Sequence, residues 1–425
     1  MIKQLIKQTL AQLRSQRMLT AVSIIGSALS IFLIMVVVML HQVQVAPFAP
    51  VSNRPRMLHA DWASMQVIDA PQYCSNGPIS EKTAKSQFGK LTIPEAVTIR
   101  NSETRPANLQ VPGSKSVGSD LRGTDEQYWT VFDFTFIDGK PYNKADVDSK
   151  LHVAVIDRST ARLLFGTEEA AGREFLMNYV PYTVAGVVRD VSVLADGAFS
   201  HVWVPYTSFD QGEWLSNLMG SLSVTILAKS PDDFDAIRAE YERNVAEYNK
   251  EISSTGWEFI TRNRPYDQEK NASVIAANLE PDEKADRRTR WIIYAILLIV
   301  PAINLSGMTE SRMRRRVEEL GVRRAFGCTR AQLLAQLFSE NLLITILSGL
   351  IGWLASIGFA FLFSNFLFSQ SYSTSTQPFI ELNMLVQPST FGLAMLFCFI
   401  LNFLSSSFPA WKASRANIVN AINKH

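Results

Sequence analysis

Residues 18–40, MLTAVSIIGSALSIFLIMVVVML, form a 23-residue run without a formal charge between Arg17 and His41. A helix of about 20 residues crosses the roughly 30 Å hydrocarbon core of a bilayer, so this stretch predicts a membrane span. Three later windows follow the same logic. WIIYAILLIVPAINLSGMT lies between Arg290 and Glu310, NLLITILSGLIGWLASIGFAFLFSNFLF follows Glu340, and PSTFGLAMLFCFILNFLSSSF begins at Pro388. A central Asp, Lys or Arg costs about 2.5–3.5 kcal/mol on insertion, so four long windows without one argue against core helices of a soluble protein. The hydroxyl-rich SQSYSTSTQPF at 369–379 would not face lipid and is expected to be a turn. The fold class expected is an α-helical membrane protein with four transmembrane helices and a large extracytoplasmic α+β domain inserted between helices 1 and 2.

The net charge of the 425 residues is only +2, so the distribution of charge is more informative than its sum. The leader MIKQLIKQTLAQLRSQR carries Lys3, Lys7, Arg14 and Arg17 and no acid, which places it in the cytoplasm by the positive-inside rule. Apolar Ile2, Leu5, Ile6, Leu10 and Leu13 recur among those bases, the pattern of a helix lying in the membrane interface. The first apolar run exceeds the 7–15 residues of a signal-peptide h-region, and VQVAPFAP is a poor cleavage site, so an uncleaved anchor is expected. The chain is then divided into a cytoplasmic leader at 1–17, a span at 18–40, an external domain at 41–286, a stalk end and span at 287–309, and a cytoplasmic loop at 310–337. A span at 338–366, an external loop at 367–386, a span at 387–408 and a cytoplasmic tail at 409–425 complete it. Every basic cluster agrees with this topology.

Within the external domain, residues from about Asp61 to Gln110 are poorly periodic and rich in Pro, Gly and Ser. Beyond them, LHVAVIDRSTARLLFG predicts a strand at Val153–Ile156 and a helix from Ser159 to Phe165, ended by Gly166. YTVAGVVRDVS, HVWVPY, SLSVTILA and WEFITRN read as strands. PDDFDAIRAEYERNVAEYNKEI reads as an amphipathic helix opened by Pro231. The external His41, His59, His152 and His201 show no metal-ligand spacing to one another or to Cys74. No G-x-S-x-G elbow, H-E-x-x-H or Cys-x-x-Cys occurs. Cys74 lies outside, Cys328 in the cytoplasmic loop and Cys398 in the fourth span, so an internal disulfide cannot be argued and Cys74 is either free or intermolecular. The domain reads as a binder or a mechanical part rather than an enzyme.

RRRVEELGVRRAFGCTRAQLL, Arg314–Leu334, holds six arginines in 21 residues. Basic residues beside anionic lipid, at about 1 kcal/mol each, account for its charge. They do not account for its arrangement. Glu318 and Glu319 interrupt the arginines, Gly321 and Gly327 break the helix, and an apolar row runs through Val317, Leu320, Val322 and Phe326. A short helix docked in a groove of a protein partner needs such a pattern, because apolar anchors supply burial while Glu and Arg set the register.

This series resembles the cytoplasmic loop of MacB/FtsX-type permeases, the membrane subunits of mechanotransmission-type ABC transporters. Glu319, Gly321, Arg323, Arg324, Ala325 and Gly327 match the family pattern, and Glu340 stands where its acid before the third span is expected. The tail FPAWKASRANIVNAI is similar to the family's closing motif at Pro409, Ala410, Ala413 and Ala421, with Ile418 in place of a second proline. LRGTDEQYWTVFDFTFIDGK through YTVAGVVRDVS resembles the MacB-like periplasmic core domain, and residues 45–110 and 230–285 match least. The resemblance implies a permease dimer, homodimeric or with a paralogue, in a bacterial inner membrane, with both termini cytoplasmic and the large domain periplasmic. It further implies an ABC ATPase partner, membrane lipid around the spans, a possible periplasmic or outer-membrane partner and no nucleic acid. Val317, Glu318, Glu319, Leu320, Gly321, Val322, Arg323, Arg324, Ala325, Phe326 and Gly327 become the candidate ATPase-coupling residues. No G-x-x-x-x-G-K-S/T loop occurs and GSKS at 113–116 lacks the required glycine spacing, so no cofactor is expected on this chain, with ATP and Mg on the partner ATPase. The resemblance points to export or extrusion of a substrate; an FtsX-like lever acting on an envelope protein such as a cell-wall hydrolase, and a lipoprotein-releasing permease, are the alternatives.

Overall fold

The computed structural model describes residues 17–215, 217–297, 299, 329–368, 380–385, 391–392, 395–396, 399–400 and 403. The chain divides into two compact units. One comprises Met1–Gln42, Lys284–Phe363 and Leu382–His425; the other comprises Val43–Glu283 and Ser364–Glu381.

In the first unit, helix α1 (Arg17–Val45) carries the first apolar run. Ser23, Ser27, Ile31, Met35 and Met39 are buried at a spacing of four, while Val22, Ile25, Leu29 and Leu33 on the other side are exposed. A helix that leaves its exposed side apolar is built for a non-aqueous surrounding. A second long helix, Arg330–Leu362, starts at a capping box in which Thr329 and Gln332 bond reciprocally. That cap places the helix start within the segment expected to be cytoplasmic loop. Its 33 residues reach about 50 Å at 1.5 Å each, more than a bilayer core requires. Thr20–Val45 and Leu342–Leu362 are both long and apolar enough to cross a membrane. The two helices approach closely where a Cβ added to Gly352 would lie 2.6 Å from the Ala28 carbonyl oxygen, and the Phe32 and Phe359 rings meet edge to face at 5.4 Å. Small residues permit this backbone proximity. Of the window expected at 287–309, residues 287–297 and 299 are described and helical, and most of the window at 387–408 lies outside the described residues.

The second unit contains the α+β domain. Strand β1 (Met57–Ala60) precedes, and strands β2 (Ala63–Val67), β3 (Ala70–Gly77), β4 (Ala96–Asn101) and β5 (Arg105–Gln110) occupy, the stretch from about Asp61 to Gln110 whose sequence is poorly periodic. The pattern failed there because β4 is buried at nearly every position and β3 is exposed along half of its length, and neither shows the alternation of a half-buried strand. Helix α2 (Glu81–Gln87) is N-capped by Ser80. Next come β6 (Val117–Thr124), α3 (Tyr128–Val131), β7 (Phe136–Gly139), α4 (Lys144–Asp148) and β8 (Val153–Asp157). Helix α5 (Arg158–Phe165) is capped by Asp157 and ends at Gly166 with φ 72°. After β9 (Glu174–Met177), β10 (Val180–Val188), β11 (Val202–Pro205) and β12 (Leu222–Leu227), the amphipathic helix α6 (Phe234–Ile252) buries Ile237, Tyr241, Val245, Tyr248 and Ile252. Strands β13 (Trp257–Ile260) and β14 (Tyr266–Asp267) and helix α7 (Gln268–Ala272) close the domain.

An 11-stranded sheet runs β11-β8-β10-β9-β5-β6-β4-β12-β1-β14, with β7 beside β10 and a further pairing of β11 to β6. That further pairing joins β5, β6, β11, β8, β10 and β9 into a closed ring. Its interior is filled by side chains including Leu109, Leu121, Ile156, Phe175, Val184 and Val204. Strands β4, β12, β1 and β14 extend from β6 as an open lobe, and β13-β2-β3 form a separate three-stranded sheet.

Candidate functional site at the end of the first helix

The last carbonyls of a helix have no partner within it and carry the negative end of its dipole. Helix α1 has no basic residue in its last turn to meet them. Arg54, on the 3-10 turn Arg54–Arg56, meets them instead. Its Nη1 donates to the carbonyls of Val43 and Ala46, both at 3.0 Å, and its Nη2 donates to Leu194 at 2.9 Å. The guanidinium carbon sits 4.9 Å from the centre of the Phe48 ring. Gln268, at the start of α7, donates to the Gln44 carbonyl at 2.7 Å. The nearby Arg54 and the distant Gln268 therefore both bond the helix end, and Arg54 bonds Leu194 as well. Burial lowers the Arg54 pKa to about 10, with Asp196 opposing the drop, so the residue stays cationic at neutral pH.

The loop that receives Arg54, residues 192–199, joins β10 of the barrel to β11. Tyr128 Oη donates to the Gly197 and Ala198 carbonyls at 3.1 and 3.0 Å. Trp203 Nε1 donates to Ala198 at 3.2 Å. Arg122, on β6, donates from Nε to Phe199 at 3.0 Å and from Nη1 to Asn101 at 2.7 Å. Arg100, on β4, reaches the Asn101 carbonyl at 3.1 Å and Asp61 Oδ1 at 2.5 Å. Gly197 adopts φ +80°, and a Cβ there would lie 3.2 Å from Arg100 Nη2. Asn271 of α7 donates to the other Asp61 oxygen at 2.9 Å. The polar network is continuous from the helix end through the barrel loop into the open lobe.

Its electrostatics follow from burial and sign. Burial by itself would raise the Asp61 carboxyl, but Arg100, with His59 and the Asn271 hydrogen bond, holds it below its ordinary value. His59 is buried beside the same groups; burial lowers its pKa, and its Nε2 has no hydrogen-bond partner. Arg122 is also shifted down, by burial first and then by Arg100. Buried charges of this kind are costly unless paired and bonded, and their hydrogen bonds to carbonyls set a single geometry.

This arrangement holds the turn at Arg54, the loop at 192–199 and the strands carrying Arg100 and Arg122 in one geometry. Among the described residues no group of three or more His, Cys, Asp or Glu is placed to hold a metal ion. His152 stacks on Tyr182 at 4.8 Å, and His201 Nδ1 bonds Asp157 Oδ2 at 2.7 Å. The coupling candidates Val317 to Gly327 lie outside the described residues. Arg54, Arg100, Arg122 and Asp61 were missed from the sequence because each is a lone charge in an ordinary strand or turn. The one legible signal was the helix C-terminus without a base of its own.

Residues 20–244 match the MacB-like periplasmic core domain, and residues 291–418 match the FtsX-like permease C-terminal domain. A macrolide export ATP-binding/permease protein, MacB 1/2, of Paracoccus denitrificans is 28% identical over 73% of this chain and 43% of its own length. The pyoverdine export ATP-binding/permease protein PvdT of Pseudomonas syringae is 23% identical, again over 73% of this chain and 43% of its own. The chain thus spans less than half the length of these curated relatives. The crystal structure of the periplasmic region of MacB from Actinobacillus actinomycetemcomitans is 21% identical, covers 48% of this chain and 89% of its own, and superposes with a TM-score of 0.33. With one family domain covering more than half of the sequence and the second most of the remainder, the chain belongs to the MacB/FtsX-type ABC transporter permeases.

Proposed function

We propose that this chain is the permease subunit of a mechanotransmission-type ABC transporter with four spans in a bacterial inner membrane. In this reading ATP is hydrolysed on a partner ATPase. That partner docks on the cytoplasmic segment from Val317 to Gly327, with Glu319 and Arg324 setting the register. The permease works as a dimer with a second copy or a paralogue, and displacement of its helices moves the periplasmic domain to extrude a substrate. The observation that carries the mechanical part is the Arg54 junction. Arg54 bonds the carbonyls of Val43, Ala46 and Leu194, and Gln268 bonds that of Gln44, so a shift of residues 43–46 would break or drag these contacts. Buried hydrogen bonds from a charged donor are worth about 1.5–3 kcal/mol each, enough to keep such a joint closed under thermal motion. The absence of a G-x-x-x-x-G-K-S/T loop from these residues supports hydrolysis elsewhere.

The test is recovery of partners from the native membrane in mild detergent, comparing the parent chain with a Glu319→Ala, Arg324→Ala variant. An ATPase in stoichiometric amount with the parent and lost from the variant supports the reading. Equal recovery from both would reduce Val317–Gly327 to a topology signal. Arg54→Ala should keep ATPase binding and lose transport, since it acts beyond the docking step.

A further inference from the structure

A cavity of about 420 Å³ opens in the periplasmic domain between α2 and β4 on one side and α4 and Tyr206 on the other. Ligand pockets for small organic molecules begin at about 300 Å³. Its apolar wall includes Phe88, Leu91, Val97, Ile99 and Val147. The charged residues around it do not balance. Lys144 pairs with Asp148 at 3.2 Å, and Glu95 pairs with Arg56 at 2.7 Å. Lys85 is engaged by Glu81 at 2.6 Å, outside the cavity lining. That leaves two neighbouring acids, Asp125 and Glu126, with no ion-pair partner among the described residues.

Asp125 is buried, and its oxygens accept from Thr98 Oγ1 at 2.6 Å, Ile99 N at 2.7 Å and Tyr128 N at 3.1 Å. These three donors orient the carboxyl without neutralising it. Burial pushes it up to about 7, and the charge of Glu126 adds to the rise against those hydrogen bonds. The Lys144 ammonium on the cavity lining feels both acids but is bonded to Asp148, so Asp125 and Glu126 border an apolar space that a molecule can enter without an ion pair of their own.

We propose that this cavity binds a protonated organic amine carried on an apolar body, the amine facing Asp125 and Glu126 and the body lying against Phe88, Val97 and Val147. The site does not depend on how the permease is powered. Because α4 and Tyr206 belong to the barrel side and α2 and β4 to the open lobe, an occupant bridges the two halves of the domain.

The experiment is calorimetric titration of the full chain in nanodiscs with 2-(1-naphthyl)ethylamine, with 2-(1-naphthyl)ethanol as the uncharged control. A Val97→Trp variant that fills the cavity subtracts partition into lipid. One site per chain for the amine, about tenfold or more weaker for the alcohol and absent from Val97→Trp, is the expected result, since a charged contact contributes on that scale. Glu126→Gln should weaken the amine several-fold, and binding should tighten from pH 6 to pH 8 as Asp125 ionises. Equal binding of amine and alcohol, or unchanged amine binding in Val97→Trp, would overturn the proposal. Either failure would leave the ATPase-docking result untouched, because that assay does not involve the cavity.

Discussion

Arg54 and Leu194, 140 positions apart in the chain, are joined by a 2.9 Å hydrogen bond that fastens the C-terminal end of α1 to a barrel loop. The same guanidinium bonds the Val43 and Ala46 carbonyls, so one side chain joins the last residues of α1 to the barrel loop.

Arg54→Ala leaves three carbonyls without their donor and should destabilise the periplasmic domain by about 2–4 kcal/mol, the range for removing one member of a buried charged network. Arg54→Lys keeps the charge but loses the planar fork and should recover only part of this. Thermal unfolding of the full chain in detergent measures both, and an unchanged midpoint for Arg54→Ala would exclude the joint.

Asp125 should cost the domain stability as pH rises from 5 to 8, against an opposing gain below pH 6.5 from buried His59, whose pKa burial lowers. Asp125, at about 7 when folded against an ordinary carboxyl near 3.9 when unfolded, binds its proton more tightly in the native state. Its contribution is therefore complete below about pH 4 and lost as pH rises through 7, a change on the order of 3 kcal/mol across that window. His201 adds in the same direction. Burial would lower its pKa, but the hydrogen bond to Asp157, with the charges of Asp157, Asp120 and Asp190, raises it overall, so its contribution also fades above the folded value. Asp125→Asn should flatten the slope of unfolding temperature against pH, and His201→Gln should flatten it less. A slope left unchanged by Asp125→Asn contradicts the Asp125 reading, and one left unchanged by His201→Gln contradicts the His201 reading.

Gly139→Ala should be among the most damaging single-methyl additions. The residue sits at φ +65°, and a Cβ would lie 2.3 Å from the Ala185 carbonyl oxygen across the β7–β10 pairing. Left-handed strain and a backbone clash together put the cost above about 2 kcal/mol. Ala substitution at Gly166, with φ +72° and open space around it, should cost only about 1 kcal/mol, and the difference between the two midpoints is the measurement.

Gly352→Leu should separate α1 from the helix Arg330–Leu362 by forcing a side chain into the Ala28 carbonyl. Gly358→Leu, on the same helix with nothing within 4 Å, is the control. Lower detergent stability for Gly352→Leu alone is expected; equal behaviour would mean the two helices do not depend on that contact.

Much of this protein is written locally. Charge-free runs announce the membrane helices, because lipid tolerates no unpaired backbone or central charge. The strand at Val153–Asp157, the helix after it and its stop at Gly166 follow from period, cap and a residue free to take positive φ. The amphipathic Phe234–Ile252 was equally plain, since one face had to be buried. Closure of the barrel could not be read this way, because it depends on β11 meeting β6 some 80 residues earlier. Nor could β1 and β4, whose burial on both faces erased their alternation. The Arg54 junction and the unbalanced acids Asp125 and Glu126 are likewise products of tertiary structure. A side chain's sequence neighbours determine which local shape it favours, but its hydrogen-bond and charge partners come from whatever the completed fold brings within about 3 Å. That is why the sequence alone established a membrane permease with an α+β domain outside, and only the folded chain located the joint that could work it.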